Sequence, residues 1–436
     1  MRKFKWMAPA MVAALVLAAC SGNSEESGGG GGGGGDLAEG DGEISVTSLW
    51  GGAEGEAFQA VLDAFEEKTG IHAEYETVRD DYATVLSTRV TGGDPPDIAI
   101  MPGIGFMRSF ARDDLLIPLE DLGIARADIE DRFAPGILDI GTVDDVLYAP
   151  MVKFNSKSTV WYHPNDFADR GIEVPETWDD MVALQDNYDE PAWACGCADT
   201  WNLTDWFESI YIRQHGVEMY DQLFGGELPF TDQSVKDSIA EMAKILNDES
   251  LVGGITGAFG TTFTDAIGQT FAADNQAWLF YEGGFVGGIA LGQVNEDLVI
   301  GEDIGWFDFP PINDNGSPVT IGGDVIAAFV ADSDVAEFME YLISVEGGTV
   351  WAEQGTIISP IIGVDSSVYP NELISQEAEQ VANAEAVRFD GSDLLPAGSP
   401  DLGATLQTAI SNPDGIDQAL EEFQTGVENA FADAEG

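Results

Sequence analysis

Cys20, Cys195 and Cys197 are the three thiols of this sequence, and their surroundings differ. Cys20 follows the small residues Ala18 and Ala19 at the end of an apolar stretch that starts at Trp6. Cys195 and Cys197 are separated only by Gly196, so they form either a strained disulfide in a very tight ring or two free thiols. A zinc site needs four ligands, and the three histidines, His72, His163 and His215, are scattered, so no metal is expected. The 78 Asp and Glu could supply the paired acids of a glycosidase, about 5 or 6.5–9.5 Å apart. No local pattern singles out such a pair, and no enzyme and no cofactor are expected. "NDNGS" (313–317) lacks the ligand spacing of a calcium loop and reads as a turn. "GITGAFG" is not followed by the lysine of a phosphate loop. Asp324 is the strongest single polar candidate, because Gly322 and Gly323 before it let backbone approach a ligand closely.

The start of the chain explains Cys20. Arg2, Lys3 and Lys5 form a positive leader, and the apolar run after them is too short for a stable bilayer anchor. Leader, apolar run, small residues and cysteine occur in the order of a cleavage site, and the stretch resembles the lipobox of bacterial lipoproteins. The resemblance implies removal of residues 1–19, lipidation of Cys20, and a cell-membrane location on the extracytoplasmic face through the lipid alone; two or more acyl chains suffice for stable anchoring. Residues 20–42 are then a Gly-rich leash, too polar for a core. A coil of that length spans roughly 25 Å.

The segment from Glu43 to Gly436 is long for one core and suggests two lobes. The chain is 44% hydrophobic and 10% aromatic, and it carries a formal charge of −61. Nucleic acid and anionic lipid surfaces are therefore excluded as partners, since they need clustered Lys and Arg. The acids are spread along the whole chain, as on a solvated surface suited to a salt-rich habitat.

Hydrophobic periodicity places the elements. Strands are predicted at 43–50, 71–78 and 96–101, alternating with a helix that holds Phe58, Val61, Leu62 and Phe65 and stops at Gly70, and a second at 80–93. That order predicts a parallel sheet with right-handed crossovers, and places Trp50–Glu54 and Pro102–Phe106 at the wall of a cleft. Further strands are predicted at 146–153, 158–163 and 318–330. Helices follow around Val335–Ile343, closed by Gly347 and Gly348, and around Ile416–Val427.

"WGGAEGEAFQAVLDAFEEKTGIHAEYE", "GGDPPDIAIMPGIGFM", "VPETWDDMVAL", "TDWFESIYIR", "GGDVIAAF" and "VRFDGSDLLPA" occur in one order. In them the chain resembles the family 1 extracellular solute-binding proteins of bacterial ABC sugar importers, in the α-glucoside-type branch. The resemblance implies an α/β, two-lobed, hinged periplasmic-binding-protein fold (type II) with discontinuous lobes. Residues 43–153 and 318–362 would form a strand-rich N-lobe, and 154–317 and 363–436 a helix-rich C-lobe. It further implies a monomer that captures a small oligosaccharide between the lobes and delivers it to a permease. Its rivals are a secreted glycoside hydrolase and a surface glycan-binding protein outside transport. The matched positions that could hold a sugar, by aromatic faces and planar polar groups, are Trp50, Glu54, Arg79, Asp80, Asp205, Trp206, Trp278, Glu282, Asp324, Arg388 and Asp390, with Asp393 beside them. Trp161 and Trp178 read as core. Relatives in this branch carry a second cysteine where Ala277 stands, so that bridge is absent.

Overall fold

The computed structural model describes residues 37–79, 81–133 and 136–435. The leader, Cys20, Asp80 and the leash as far as Asp36 lie outside the described residues. The end of the expected leash is docked. The Ser333 amide donates to the Ala38 carbonyl at 2.9 Å, and the Gly42 amide to Asp334 Oδ2 at 2.8 Å. Gly40 lies so close to the Asp334 carboxyl that a Cβ there would overlap it.

Two sheets organise the chain. The first has six strands: β1 (Glu43–Ser48), β2 (His72–Thr77), β3 (Ile98–Met101), β6 (Met151–Ser156), β11 (Val319–Ala328) and β12 (Val387–Phe389). β1 pairs in parallel with β2 and β3, as expected for a β-α-β-α-β run. Helix α1 (Gly52–Thr69) buries Phe58, Val61, Leu62 and Phe65, and Gly70 ends it in the left-handed conformation at φ 81°. α2 (Tyr82–Thr91) follows β2, and α3 (Ile104–Arg112) follows β3. The sheet is mixed, not purely parallel, because β11 runs antiparallel to both β3 and β6.

The second sheet has the order β10 (Gly305–Asp308), β7 (Thr159–Tyr162), β9 (Leu279–Tyr281), β8 (Trp193–Ala194). A short hairpin of β4 (Thr142–Val143) and β5 (Val146–Leu147) precedes β6. The strand expected at 146–153 is therefore two strands, parted around Pro150. The chain leaves the first sheet at Ser156 and enters the second at Thr159, so Lys157 and Ser158 form one crossing. It returns between Asp308 and Val319.

Each sheet has its own core. Ile44, Val46, Phe58 and Phe338 pack on one face of the first sheet. Leu203, Trp206, Phe207, Tyr211, Phe309 and Phe423 belong to the helical lobe. The segment 363–436 does not stay in that lobe as expected. β12 pairs with β11, and Ile374 and Phe389 join the core of the first sheet. Gly347 and Gly348 do not close the helix Ser333–Leu342; they lie inside the next one, Val345–Ala352, whose start Ser344 caps by accepting from the Gly347 amide at 3.1 Å. No helix among the described residues is long and apolar enough to cross a membrane.

Candidate functional site

A cleft of about 440 Å³ opens where the two sheets meet. The sheet-one wall begins at the end of β1, where the chain turns into α1. Trp50 is 2% exposed and held edge-on by Phe58 and Trp351, with ring centroids at 5.2 and 5.1 Å. Its carbonyl accepts from Tyr75 Oη at 2.8 Å and from Thr77 Oγ1 at 2.9 Å, which fixes the turn. Glu54 lies in the first turn of α1, where the helix dipole favours a carboxylate.

β11 supplies the cleft floor. Its pairing with β6 shifts register between Asp324 and Val325, a bulge that re-aims side chains at that point. Gly322 and Gly323 are needed there: a Cβ on Gly322 would meet Lys157 Cε at 2.6 Å, and one on Gly323 would overlap the Lys153 carbonyl.

Two lysines that the sequence reading passed over organise the site. Lys153 Nζ lies 2.9 Å from Glu54 Oε1, 3.4 Å from Asp324 Oδ2 and 4.7 Å from the Trp50 ring. Lys157 Nζ lies 2.7 Å from Asp205 Oδ2, 3.8 Å from Asp390 Oδ2 and 4.7 Å from the Trp201 ring. Burial presses both ammonium groups down, and the neighbouring carboxylates outweigh it, so both end above the usual lysine range. Burial pushes Asp324 up against the pull of Lys153.

Burial also pushes Asp205 and Glu282 up, while at Asp390 the Lys157 ammonium and Ser392 overcome burial and hold the carboxyl down. The 2.7 Å contact to Lys157 argues for a charged Asp205, and burial beside Glu282 argues against it. Burial outweighs the Lys157 ammonium at Asp205 and Glu282, which end above the usual carboxylate range.

The opposite wall is aromatic. Trp201 packs at 5.0 Å from Phe263 and 6.0 Å from Phe285, and all three line the cleft. Trp201 is 38% exposed, so beyond its contact with Lys157 part of the ring can meet a ligand face.

The expected site residues divide accordingly. Trp50, Glu54, Arg79, Asp324, Asp390 and Asp393 line the cleft. Asp205 and Glu282 lie behind it; Asp205 holds Lys157, and Glu282 accepts from Asn202 Nδ2 at 2.6 Å. Asp80 lies outside the described residues. Three expectations are corrected. Trp206 is 1% exposed and packs on Tyr281 at 4.4 Å and Trp193 at 5.6 Å, so it is core. Trp278 stacks on Tyr188 at 5.7 Å, away from the cleft lining. Arg388 is spent in a two-pronged bond to Asp221 at 2.6 and 2.8 Å.

The reading missed Lys153, Asn155, Lys157, Trp201, Phe263, Phe285 and Gln293. A signal existed for the first three: "KFNSK" sets Lys153 and Asn155 at alternate positions of β6 and Lys157 just beyond its end. Cys195 and Cys197 are joined as a disulfide, with Cα atoms 5.2 Å apart.

Residues 50–349 match the family of bacterial extracellular solute-binding proteins. The chain belongs to this family. As an extracellular solute-binding protein it acts outside the cytoplasm, in transport and not as an enzyme. It is 33% identical over 384 residues to the osmoprotective compounds-binding protein GgtB of Synechocystis sp., covering 86% of this chain and 90% of that one. It is 31% identical over 407 residues to the alpha-glucosides-binding periplasmic protein AglE of Rhizobium meliloti, covering 89% and 86%. Among solved structures, the bacterial solute receptor AcbH superposes with a TM-score of 0.78 at 19% identity, covering 90% of this chain and 100% of that one. RafE in complex with raffinose superposes at 0.72 and 19% identity, covering 88% and 99%. The fold of this solute-binding protein is thus the two-lobed type II periplasmic architecture.

Proposed function

We propose that the protein captures a small oligosaccharide, an α-glucoside, in the cleft between its lobes and presents it to an ABC permease, while a lipid on Cys20 holds it to the outer face of the membrane. The observation that carries this reading is the half-exposed ring of Trp201, packed with Phe263 and Phe285, in one cleft with the carboxylates Glu54, Asp324, Asp390 and Asp393. Rings cover the C–H faces of a sugar, and carboxylates accept from its hydroxyls. The names of GgtB and AglE, which bind osmoprotective compounds and alpha-glucosides, support a glucoside or an osmoprotective compound. Glu54, Arg79, Asp324, Asp390 and Asp393 are the polar contacts in this reading, and Asp205 and Glu282 act through Lys157. The monomer and two discontinuous lobes belong to the same reading, with β6 and β12 both on the first sheet.

A thermal-shift screen against small sugars tests it. A sugar at about 100 times its dissociation constant adds roughly 2.7 kcal/mol to stability; a panel of glucosides that leaves the melting curve in place overturns the reading. The anchor is tested separately: Cys20→Ala should release the protein from cells into the medium.

A further inference from the structure

One face of the helix Trp201–His215 serves the cleft, and its innermost member has no role in the site described above. Trp201, Thr204, Asp205 and Glu208 stand at i, i+3, i+4 and i+7, the spacing of a single helix face. Trp201 brings its ring to the cleft, and Asp205 holds Lys157. Glu208 lies one turn further in and is 1% exposed. An interior carboxyl costs free energy unless its oxygens are bonded, and an apolar residue would fill the same place at less cost.

Those oxygens are bonded to one short stretch of chain and its neighbour. Oε2 accepts from the Gly391 amide at 2.7 Å and from Tyr220 Oη, and Oε1 accepts from the Ser392 amide at 2.9 Å. Ser392 Oγ donates to Thr204 Oγ1 at 3.2 Å, so the same helix face holds the stretch twice. On its other side the Asp390 amide donates to the Ile321 carbonyl of β11 at 2.8 Å. Gly391 is pressed so closely on the Phe224 ring that a Cβ would overlap it. Residues 390–393 are thus gripped between the first sheet and the helical lobe, and Asp390, Ser392 and Asp393 among them line the cleft. Within the stretch, Asp390 Oδ1 accepts from Ser392 Oγ at 2.7 Å, which leaves Oδ2 toward Lys157 at 3.8 Å. A shift of the Gly391 and Ser392 amides would move both cleft carboxyls with it.

We propose that Glu208 is a positioning residue of the ligand site: it touches no ligand, and by fixing the Gly391 and Ser392 amides it sets where Asp390 and Asp393 meet one. This rests on the capture reading above and adds to it the group that holds two of its polar contacts in place.

The test combines calorimetric titration with sucrose, trehalose and maltose, melting, and hydrogen exchange of the ligand-free protein over residues 387–397. The variants are Glu208→Leu, which removes both acceptor oxygens, and Glu208→Gln, which keeps one and covers the case of a Leu variant that does not fold. Glu208→Leu should bind the sugar roughly tenfold more weakly, a loss on the scale of one hydrogen bond, with an intermediate loss in Glu208→Gln. Exchange over 387–397 should quicken in both variants before any sugar is added. In an Asp393→Ala background Glu208→Leu should cost less affinity than in the wild type, because one group it positions is gone. A residue that only supports the fold would lower the melting temperature and leave that coupling at zero. Unchanged affinity in the Glu208 variants, the same fold-loss in both backgrounds, or exchange over 387–397 at the wild-type rate overturns this inference alone. Failure of all three sugars to bind the wild type overturns the capture reading and takes this inference with it.

Discussion

Gly105 on α3 packs against the backbone carbonyl of Leu395 with no room for a Cβ between them. Gly105 adjoins Ile104 and Met107 in the core of the first sheet, and Leu395 belongs to the core of the helical lobe, so this is a contact between lobes. A second contact joins Gly52 to Gln293, where a Cβ would meet Gln293 Nε2 at 3.0 Å.

Gly105→Ala should therefore oppose the lobe arrangement described above without unfolding either lobe. Overpacking of this kind costs about 1–3 kcal/mol. The expected outcome is a larger radius of gyration by small-angle scattering with saturating sugar, and weaker affinity with little change in melting temperature. Wild-type scattering and affinity would contradict it.

Trp201 and Trp206 are five residues apart on one helix and should behave oppositely. Trp201→Ala should reduce ligand affinity by about 2 kcal/mol, roughly thirtyfold, and leave the fold stable. Trp206→Ala should cost about 3–5 kcal/mol of stability, as removal of a core aromatic does. Denaturant melts and titration of both variants check this pair.

Glu377 provides a pH test. It is 1% exposed and accepts from the Ser156 amide at 2.7 Å, beside the crossing between the sheets. Burial raises its carboxyl from 4.5 to about 8. The folded state then holds a proton that the unfolded chain releases near 4.5. This contribution to stability is full below pH 4.5, declines as pH rises, and is gone above about 8. Glu377→Gln keeps an acceptor without the charge, so its stability should decline less between pH 4.5 and 8. Parallel slopes for variant and wild type across that window would count against a neutral Glu377.

The charge of −61 should make stability depend on salt. Between about 10 mM and 1 M NaCl the Debye length falls from about 30 Å to 3 Å, and self-repulsion falls with it. The melting temperature should climb over that range; a flat profile would contradict the argument.

The first sheet was legible because its signals are local. The run Phe58, Val61, Leu62, Phe65 repeats at helical spacing, and Gly70 marks a stop that the left-handed conformation requires. β12 was hidden because three residues carry little pattern and its partner β11 lies far back in sequence. In the site, Asp324 was legible from the two glycines before it. Trp206 misled because tryptophan type does not distinguish core from cleft: five residues along a helix turn Trp201 toward the cleft and Trp206 into the interior. The lysines were missed because what marks them is burial among carboxylates, which only the fold creates.

Those buried lysine groups have a consequence for how the molecule meets brine. The acids at its surface gather a counterion cloud that thickens or thins with the medium, but Lys153 and Lys157, at 8% and 12% side-chain exposure, already have their counterions built in. Ions in solution have little to compete for at these two ammonium groups. Osmotic change outside would then be felt by the shell of the protein while the grip on its cargo holds constant.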